Sequence, residues 1–115
     1  QWINRKIVFC DNGKDAMMDP ESLKLAIANH PHAKVVMPVH LLGRVQDVET
    51  LLPHIPNNVC IIEDAANAFY MGDPGNKPGI YSDAAIYSFD IAKHNIGFIG
   101  VLPLPLIFLT GNMPM

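Results

Sequence analysis

The sequence predicts an α/β fold with a mainly parallel sheet and helices on both of its faces. Strand-like and helix-like segments alternate along the chain without an internal repeat. The apolar run that ends at Ile62 passes directly into two carboxylates and then into small residues, as a buried strand does before a helix. A second apolar run contains Ser88, and Lys93 follows it closely. Because open α/β sheets bind ligands at the carboxyl ends of their strands, we expect Asp64, Ser88 and Lys93 to share one rim.

The composition indicates a single globular domain. The chain has 115 residues, of which 50% are hydrophobic, and a formal net charge of -3. No basic patch is present, so nucleic acid is not an expected partner. Cys10 and Cys60 lie in apolar runs without a CxxC spacing, which predicts buried, reduced thiols and a cytoplasmic location. No signal peptide is recognised, and the apolar stretch 100–109 is too short and too rich in proline to span a bilayer, so no membrane association is expected.

The first part of the chain predicts a strand, a helix and a second strand. The β-branched and aromatic run 6–10 is followed by an Asp-Asn-Gly turn. Asp19 offers a capping side chain, Pro20 suits the first helical position, and apolar residues follow at helical spacing, so a helix is expected up to Asn29. The apolar run 34–37 then predicts a short strand that the following proline ends.

The second part predicts two short helices and two more strands. Segment 47–52 has helical spacing before a proline interrupts it, and 59–62 is the central strand. A short helix is expected from 65 to about 70, and the glycine- and proline-rich segment 71–79 is expected to form a surface loop. A fourth strand is predicted over 84–88.

The chain divides into two parts of different composition. Residues 1–100 contain the predicted α/β elements. Residues 101–115 form an apolar tail in which prolines at 103 and 105 exclude a central strand, and no structure is predicted for this tail.

Each candidate site residue also has a simpler structural explanation. Asp64 suits the N-cap of a helix that begins at Ala65, and the adjacent Glu63 is better explained as a structural residue. Taken singly, Ser88 and Lys93 indicate no particular function. These residues therefore point to a site only in combination.

Other site types have little support in the sequence. His30 and His32 have an HxH spacing, but no third ligand lies nearby, so a turn explains them better than a metal site. The remaining histidines are scattered along the chain. Neither the dinucleotide-binding glycine pattern nor a P-loop is present.

The combination of four segments resembles the DegT/DnrJ/StrS family of sugar aminotransferases, which are pyridoxal-phosphate enzymes of fold type I. The order and spacing of the segments match that family over roughly residues 5 to 100, which implies part of its large, cofactor-binding domain. The matching segments are Met-Pro-Val-His-Leu-Leu-Gly at 37–43, Ile-Glu-Asp-Ala-Ala-Asn-Ala at 62–68, Ser-Asp-Ala-Ala at 82–85 and Tyr-Ser-Phe-Asp-Ile-Ala-Lys at 87–93.

The resemblance implies roles for four residues. Lys93 matches the lysine that binds pyridoxal phosphate covalently, and Asp64 matches the aspartate that pairs with the pyridinium nitrogen. Ser88 matches a hydroxyl that holds the cofactor phosphate. Asn67 stands where the family usually has glutamine or histidine near the ring. In such a site the carboxylate keeps the ring nitrogen protonated, and a lysine with a depressed pKa moves the substrate proton.

The implied reaction is a transamination in polysaccharide or secondary-metabolite sugar biosynthesis. The amino group would pass from glutamate or glutamine to a keto sugar nucleotide, and the full-length enzymes are commonly homodimers. Some relatives are sugar dehydratases that carry histidine in place of the lysine, and His94 adjoins Lys93 here. Counting five residues from Ser88, as in the family, arrives at Lys93 and favours the aminotransferase.

Three readings of this chain remain open from the sequence. Members of the family are several times longer, so the chain is expected to be a fragment of such an enzyme with an atypical tail. It could instead be a catalytically inactive or regulatory relative. The third reading is a non-catalytic α/β remnant, in which Asp64 and Lys93 would point to opposite sides of the sheet.

Overall fold

A computed structural model describes residues 6–68 and 77–88 and the backbone of 107–108. Its sheet contains four strands in sequential order: β1 (Val35–Val36), β2 (Cys60–Ala65), β3 (Ala84–Tyr87) and β4 (Ile107–Phe108). Strands β1, β2 and β3 are parallel, and β4 pairs antiparallel with β3. The mainly parallel sheet predicted from the sequence is therefore confirmed.

Helix α1 (Pro20–Asn29) begins and ends where the sequence predicts. The Asp19 carboxylate accepts a hydrogen bond of 2.9 Å from the backbone N–H of Ser22, which otherwise has no partner in the first turn. Pro20 stands at the first position, where a missing N–H costs nothing. At the other end, His30 caps the helix through its backbone N–H.

The second predicted helix, over 47–52, is wrong in type and position. A 3-10 helix spans Leu52–His54 and follows turns at 48–51. Pro53 lies inside this short helix, near its first turn, rather than ending it. A proline is tolerated there because the N–H that it lacks would have no partner at that position.

Two further local predictions are also wrong. Residues 6–10 form no strand, and Phe9 is 89% exposed, because no strand of the described residues pairs with this run. No helix begins at Ala65, since β2 continues through that residue and a turn follows. The rest of the predicted helix, 69–70, and most of the predicted loop, 71–76, lie outside the described residues.

Both helices pack on one face of the sheet. Leu23 of α1 and Leu51, beside the 3-10 helix, are buried together with Val36 and Val59. Val36 pairs in register with Ile61, so this face also bears every second residue of β2 from that point.

The prediction of two buried thiols is wrong for Cys60. This residue is exposed because it precedes Ile61 on β2 and therefore lies on the other side of the sheet from the helices. Cys10 is partly buried, and burial, assisted by the charge of Asp11, raises the pKa of its thiol. Within the parts of the chain that the structure describes, no helix is long and apolar enough to cross a membrane.

Candidate functional site

The register of β2 and β3 brings two of the predicted site residues to one face of the sheet. Asp64 pairs with Ile86, and partners in a parallel ladder point to the same side. Ser88 lies two residues beyond Ile86, so continued alternation gives it the same direction. This face is the one opposite α1. Asp64 and Ser88 therefore lie at the carboxyl ends of neighbouring strands, as the sequence predicts.

Asp64 is held by its main chain, which leaves part of its carboxylate available. Its N–H donates to the carbonyl of Pro38, and its carbonyl accepts from the N–H of His40, each at 2.9 Å. Its Oδ1 accepts from the N–H of Ala66 at 3.0 Å, so the side chain stabilises the turn after β2 instead of capping a helix. Oδ2 has no hydrogen-bond partner in the described part of the chain.

Asn67 lies in that same turn, partly buried. Its carbonyl accepts a hydrogen bond of 2.9 Å from the N–H of Gly43. Gly43 belongs to a tight turn, Leu41–Arg44, whose end residues bond to each other in both directions. The loop after β1 therefore contacts the residues that follow β2. Lys93 lies outside the described residues, as does His94.

A buried, hydrogen-bonded pair of side chains lies on the opposite face of β2, directly beside Asp64 in the chain. Nε2 of His40 and Oε2 of Glu63 are 2.7 Å apart, and their side chains are 0% and 1% exposed. The N–H of Gln46 donates to Nδ1 of His40 at 2.8 Å, and the N–H of Gly79 donates to Oε1 of Glu63 at 2.9 Å. Both carboxylate oxygens are therefore satisfied without solvent.

These contacts determine the charge of Glu63. Burial raises the pKa of its carboxyl, but the hydrogen bond to His40, the nearby Ser82 hydroxyl and the Gly79 N–H together lower the pKa below its ordinary value. The Ser82 hydroxyl is near the carboxylate without a hydrogen bond of good geometry. The pKa of Tyr87, whose hydroxyl donates to the Pro78 carbonyl, is raised by burial and by the charge of Glu63.

The sequence predicts a structural role for Glu63, which this pair supports, but it gives no role to His40, one of several scattered histidines. A signal for the pair was present. Glu63 stands in an apolar strand, and a carboxylate buried in such a strand requires a partner. That requirement does not identify His40, which is 23 positions away.

Two other features lie away from Asp64 and Ser88. A cavity of about 370 Å³ lies beside the start of α1, and its lining includes Asp15, Asp19 and Asp47. In the described segments, no group of three or more histidine, cysteine, aspartate or glutamate residues is arranged to hold a metal ion.

Comparison with known proteins relates most of the chain to one family. Residues 1–98 match the DegT/DnrJ/EryC1/StrS aminotransferase family. GDP-perosamine synthase of Caulobacter vibrioides is 37% identical over 70 residues, which cover 60% of this chain and 19% of that protein. The spore coat polysaccharide biosynthesis protein SpsC of Bacillus subtilis is 33% identical over 89 residues, which cover 76% of this chain and 22% of that protein. The chain thus spans about a fifth of the length of these relatives.

Solved structures show the same likeness. DesI, crystallised with its TDP-sugar product, has a TM-score of 0.65 at 31% identity and aligns over 80% of this chain and 24% of its own. AtS13 from Actinomadura melliaura has a TM-score of 0.67 at 24% identity, over 78% of this chain and 26% of its own. The dehydratase ColD, which acts on GDP-4-keto-6-deoxymannose, has a TM-score of 0.59 at 21% identity, over 69% of this chain and 20% of its own.

Proposed function

Because this chain belongs to the DegT/DnrJ/EryC1/StrS aminotransferase family, we propose that it is part of a pyridoxal-phosphate-dependent sugar aminotransferase. Its partial parallel sheet has the fold of the large domain of fold-type-I enzymes. The proposed reaction transfers an amino group from glutamate or glutamine to a keto sugar nucleotide. The observation that supports it most directly is that Asp64 and Ser88 lie on one face at the carboxyl ends of β2 and β3.

The chemistry of these side chains fits pyridoxal phosphate. The Asp64 carboxylate has one oxygen bonded within its own turn and offers the other to a cationic ring nitrogen. The Ser88 hydroxyl can donate to a phosphate oxygen. Asn67 can contact the ring through its amide, and Lys93 is the proposed covalent attachment point.

When bound, the cofactor supplies an electron sink for the carbon that loses its proton. The residues of this chain provide the rest of the proposed mechanism. Asp64 holds a proton on the ring nitrogen, because a carboxylate beside that nitrogen favours its charged form. Lys93 would act as the general base that accepts the proton from the substrate carbon and as the general acid that later releases it. Ser88 would bind the phosphate end of the cofactor.

Names of relatives support the substrate class. One relative is a GDP-perosamine synthase, and DesI was solved with a TDP-sugar product. A role in polysaccharide biosynthesis is consistent with the name of SpsC. The proposal also includes the features expected from the sequence, namely a homodimeric full-length enzyme, a cytoplasmic location and a large-domain boundary near residue 100.

A sugar dehydratase is the second candidate function. The likeness in fold to ColD and the position of His94 beside Lys93 favour it. The two candidates differ in which residue stands at the cofactor aldehyde, Lys93 in an aminotransferase and His94 in a dehydratase, and of these two only the lysine amine forms a covalent bond with it. Reductive trapping of the cofactor therefore separates them.

The test is an absorbance titration of the 115-residue chain with pyridoxal phosphate, followed by borohydride reduction and peptide mapping. The aminotransferase proposal expects one reduced adduct on Lys93 and its loss in Lys93→Ala. Label spread over the remaining lysines, or no adduct at all, would contradict it. Reversible binding without an adduct would support the dehydratase or an inactive relative.

The role of Asp64 is tested with Asp64→Asn. We expect this variant to bind the cofactor about 10- to 100-fold more weakly, because a neutral amide loses the charge-assisted hydrogen bond to the ring nitrogen. Asp11→Asn is the matched control, since it removes a carboxylate from an exposed position. Equal affinity of both variants would exclude the proposed contact.

A further inference from the structure

The proposed reaction does not use the buried pair of His40 and Glu63, although the pair adjoins Asp64. Glu63 and Asp64 are consecutive carboxylates on β2, so they point to opposite faces of the sheet. Only one of them can face a ligand at the rim. The structure buries Glu63 and leaves Asp64 partly exposed on the face shared with Ser88.

The hydrogen bonds of His40 define its tautomer. Nδ1 accepts from the Gln46 N–H, so Nδ1 carries no proton. The ring proton is therefore on Nε2 and is donated to the Glu63 carboxylate. Neither hydrogen bond survives if the proton moves from Nε2 to Nδ1. Nδ1–H would then face the Gln46 N–H, and the bare Nε2 would face a carboxylate oxygen. The His40 ring therefore requires a hydrogen-bond acceptor at the position that Glu63 occupies on β2.

The backbone of His40 is joined to β2 at the neighbouring residue. Its N–H donates to the carbonyl of Asp64, and Val39 forms a parallel bridge with Asp64. The side chain of His40 therefore contacts the Glu63 carboxylate, and its main chain contacts the backbone of the next residue, Asp64. A slip of one residue in this pairing would reverse the faces, placing Asp64 in the buried position and Glu63 at the rim.

We propose that His40 and Glu63 are positioning residues that fix the register between segment 38–40 and β2, and so select Asp64 as the carboxylate at the rim. The two residues act through Asp64 and do not touch the cofactor or substrate. A hydrophobic pair could fill the same space, but it would not distinguish one carboxylate from the next. The inference rests on the proposed function only where it concerns cofactor binding.

The first measurement needs no cofactor. Nitrogen NMR of histidine-labelled protein reports the His40 tautomer, and hydrogen exchange reports protection of the Asp64 and His40 amides. The proposal expects the Nε2–H form and protected amides in the wild type. His40→Leu should lose the protection at Asp64, whereas His40→Gln should keep it, because glutamine supplies both an acceptor and a donor. His32→Leu, at an exposed histidine, is the matched control.

The second measurement is the affinity of the same variants for pyridoxal phosphate, at a temperature where circular dichroism shows each to be folded. We expect His40→Leu to weaken binding about 10- to 100-fold and His40→Gln to restore affinity to within about threefold of the wild type. If His40→Leu does not fold, Glu63→Gln replaces it, and we again expect weaker binding. His40 and Gly79 donate to different oxygens of Glu63, and in glutamine one of these positions is an NH2 group that cannot accept.

The outcomes separate the two proposals. Unchanged amide protection and affinity in His40→Leu or Glu63→Gln would overturn the positioning role. Loss of amide protection and of affinity in both His40→Leu and His40→Gln would also overturn it, because general destabilisation would then explain the effect. A wild-type protein that shows the expected tautomer and protection but binds no cofactor would contradict the proposed function and leave the register role standing.

Discussion

At the scale of single residues, the neighbours Glu63 and Asp64 have opposite surroundings. Glu63 accepts hydrogen bonds from His40 and from the Gly79 N–H, whereas the Asp64 side chain bonds, within the described residues, only to the turn that follows it. A buried carboxylate without such donors would be strongly destabilising, so the contacts of Glu63 matter more than their number suggests. The Asp64 carboxylate, which is partly exposed, does not need comparable donors.

Stability should depend on the protonation of Glu63. The pKa of its carboxyl is lowered in the folded protein, because its hydrogen bonds outweigh the opposing effect of burial. A depressed folded-state pKa stabilises the protein above the ordinary value of 4.5, and that contribution is lost as the pH falls through the folded-state pKa. Urea unfolding between about pH 7 and pH 3 measures the effect.

The control for this pH dependence is Glu63→Gln. We expect it to cost about 1–3 kcal/mol at neutral pH, because one buried donor loses its acceptor, and to give a shallower decline in acid. An unchanged acid slope in Glu63→Gln would show that other carboxylates cause the decline.

At the scale of elements, α1 and the turn after β1 are both stabilised by contacts between residues close in the chain. Asp19 and Pro20 specify the start of α1 through contacts within its first turn. The turn Leu41–Arg44 has left-handed backbone angles at both central residues, with φ of 52° at Leu42 and 81° at Gly43. This is the type I′ geometry, which suits glycine but not leucine.

The helix cap gives a prediction for α1. Asp19→Ala should lower the free energy of unfolding by about 1 kcal/mol, because the Ser22 N–H loses its acceptor. Asp19→Asn should retain most of the stability, since its amide oxygen can cap in the same way. Urea unfolding compares the two, and an equal loss in both would show that the negative charge, not the cap, stabilises the helix.

The turn gives a prediction of opposite sign. Leu42→Asn should raise the free energy of unfolding by about 1 kcal/mol, because asparagine tolerates the left-handed conformation that strains leucine. The matched control is Leu25→Asn. It replaces an exposed leucine of α1 and should give no increase in the free energy of unfolding. A similar gain in both variants would attribute the effect to reduced surface hydrophobicity.

At the scale of the whole molecule, one core connects α1, the 3-10 helix and the sheet. Leu23, Val36, Leu51 and Val59 are its buried members. The opposite face of the sheet bears Asp64. The core therefore packs against the sheet from the other side and contributes no side chain to the rim. Exposed apolar side chains are frequent elsewhere, with Ile7, Phe9 and Leu42 among them.

The core predicts a large effect at one position. Leu51 is 0% exposed, so Leu51→Ala should lower the free energy of unfolding by about 2–5 kcal/mol through lost burial and a cavity. Leu25→Ala, at a leucine that is 64% exposed, should change it by less than about 0.5 kcal/mol. Thermal and urea unfolding of both variants measure the difference, and comparable losses would indicate that Leu51 is not part of a packed core.

Features that depend on near neighbours in the chain can be predicted from the sequence. The bounds of α1 follow from a cap, a proline and helical spacing within ten residues. The positions of β1, β2 and β3 follow from short apolar runs, and the motifs at 37–43, 62–68, 82–85 and 87–93 are sufficient to identify the family.

Features that depend on partners distant in the chain become visible only once the chain is folded. The run 6–10 has strand composition, but no strand among the described residues pairs with it, and Ala65 remains in β2 because its register partner is Tyr87. The choice of Asp64 over Glu63 for the rim depends on His40, 23 positions from Glu63. Local propensity cannot encode that choice, because adjacent residues of a strand differ only in the face to which the register assigns them.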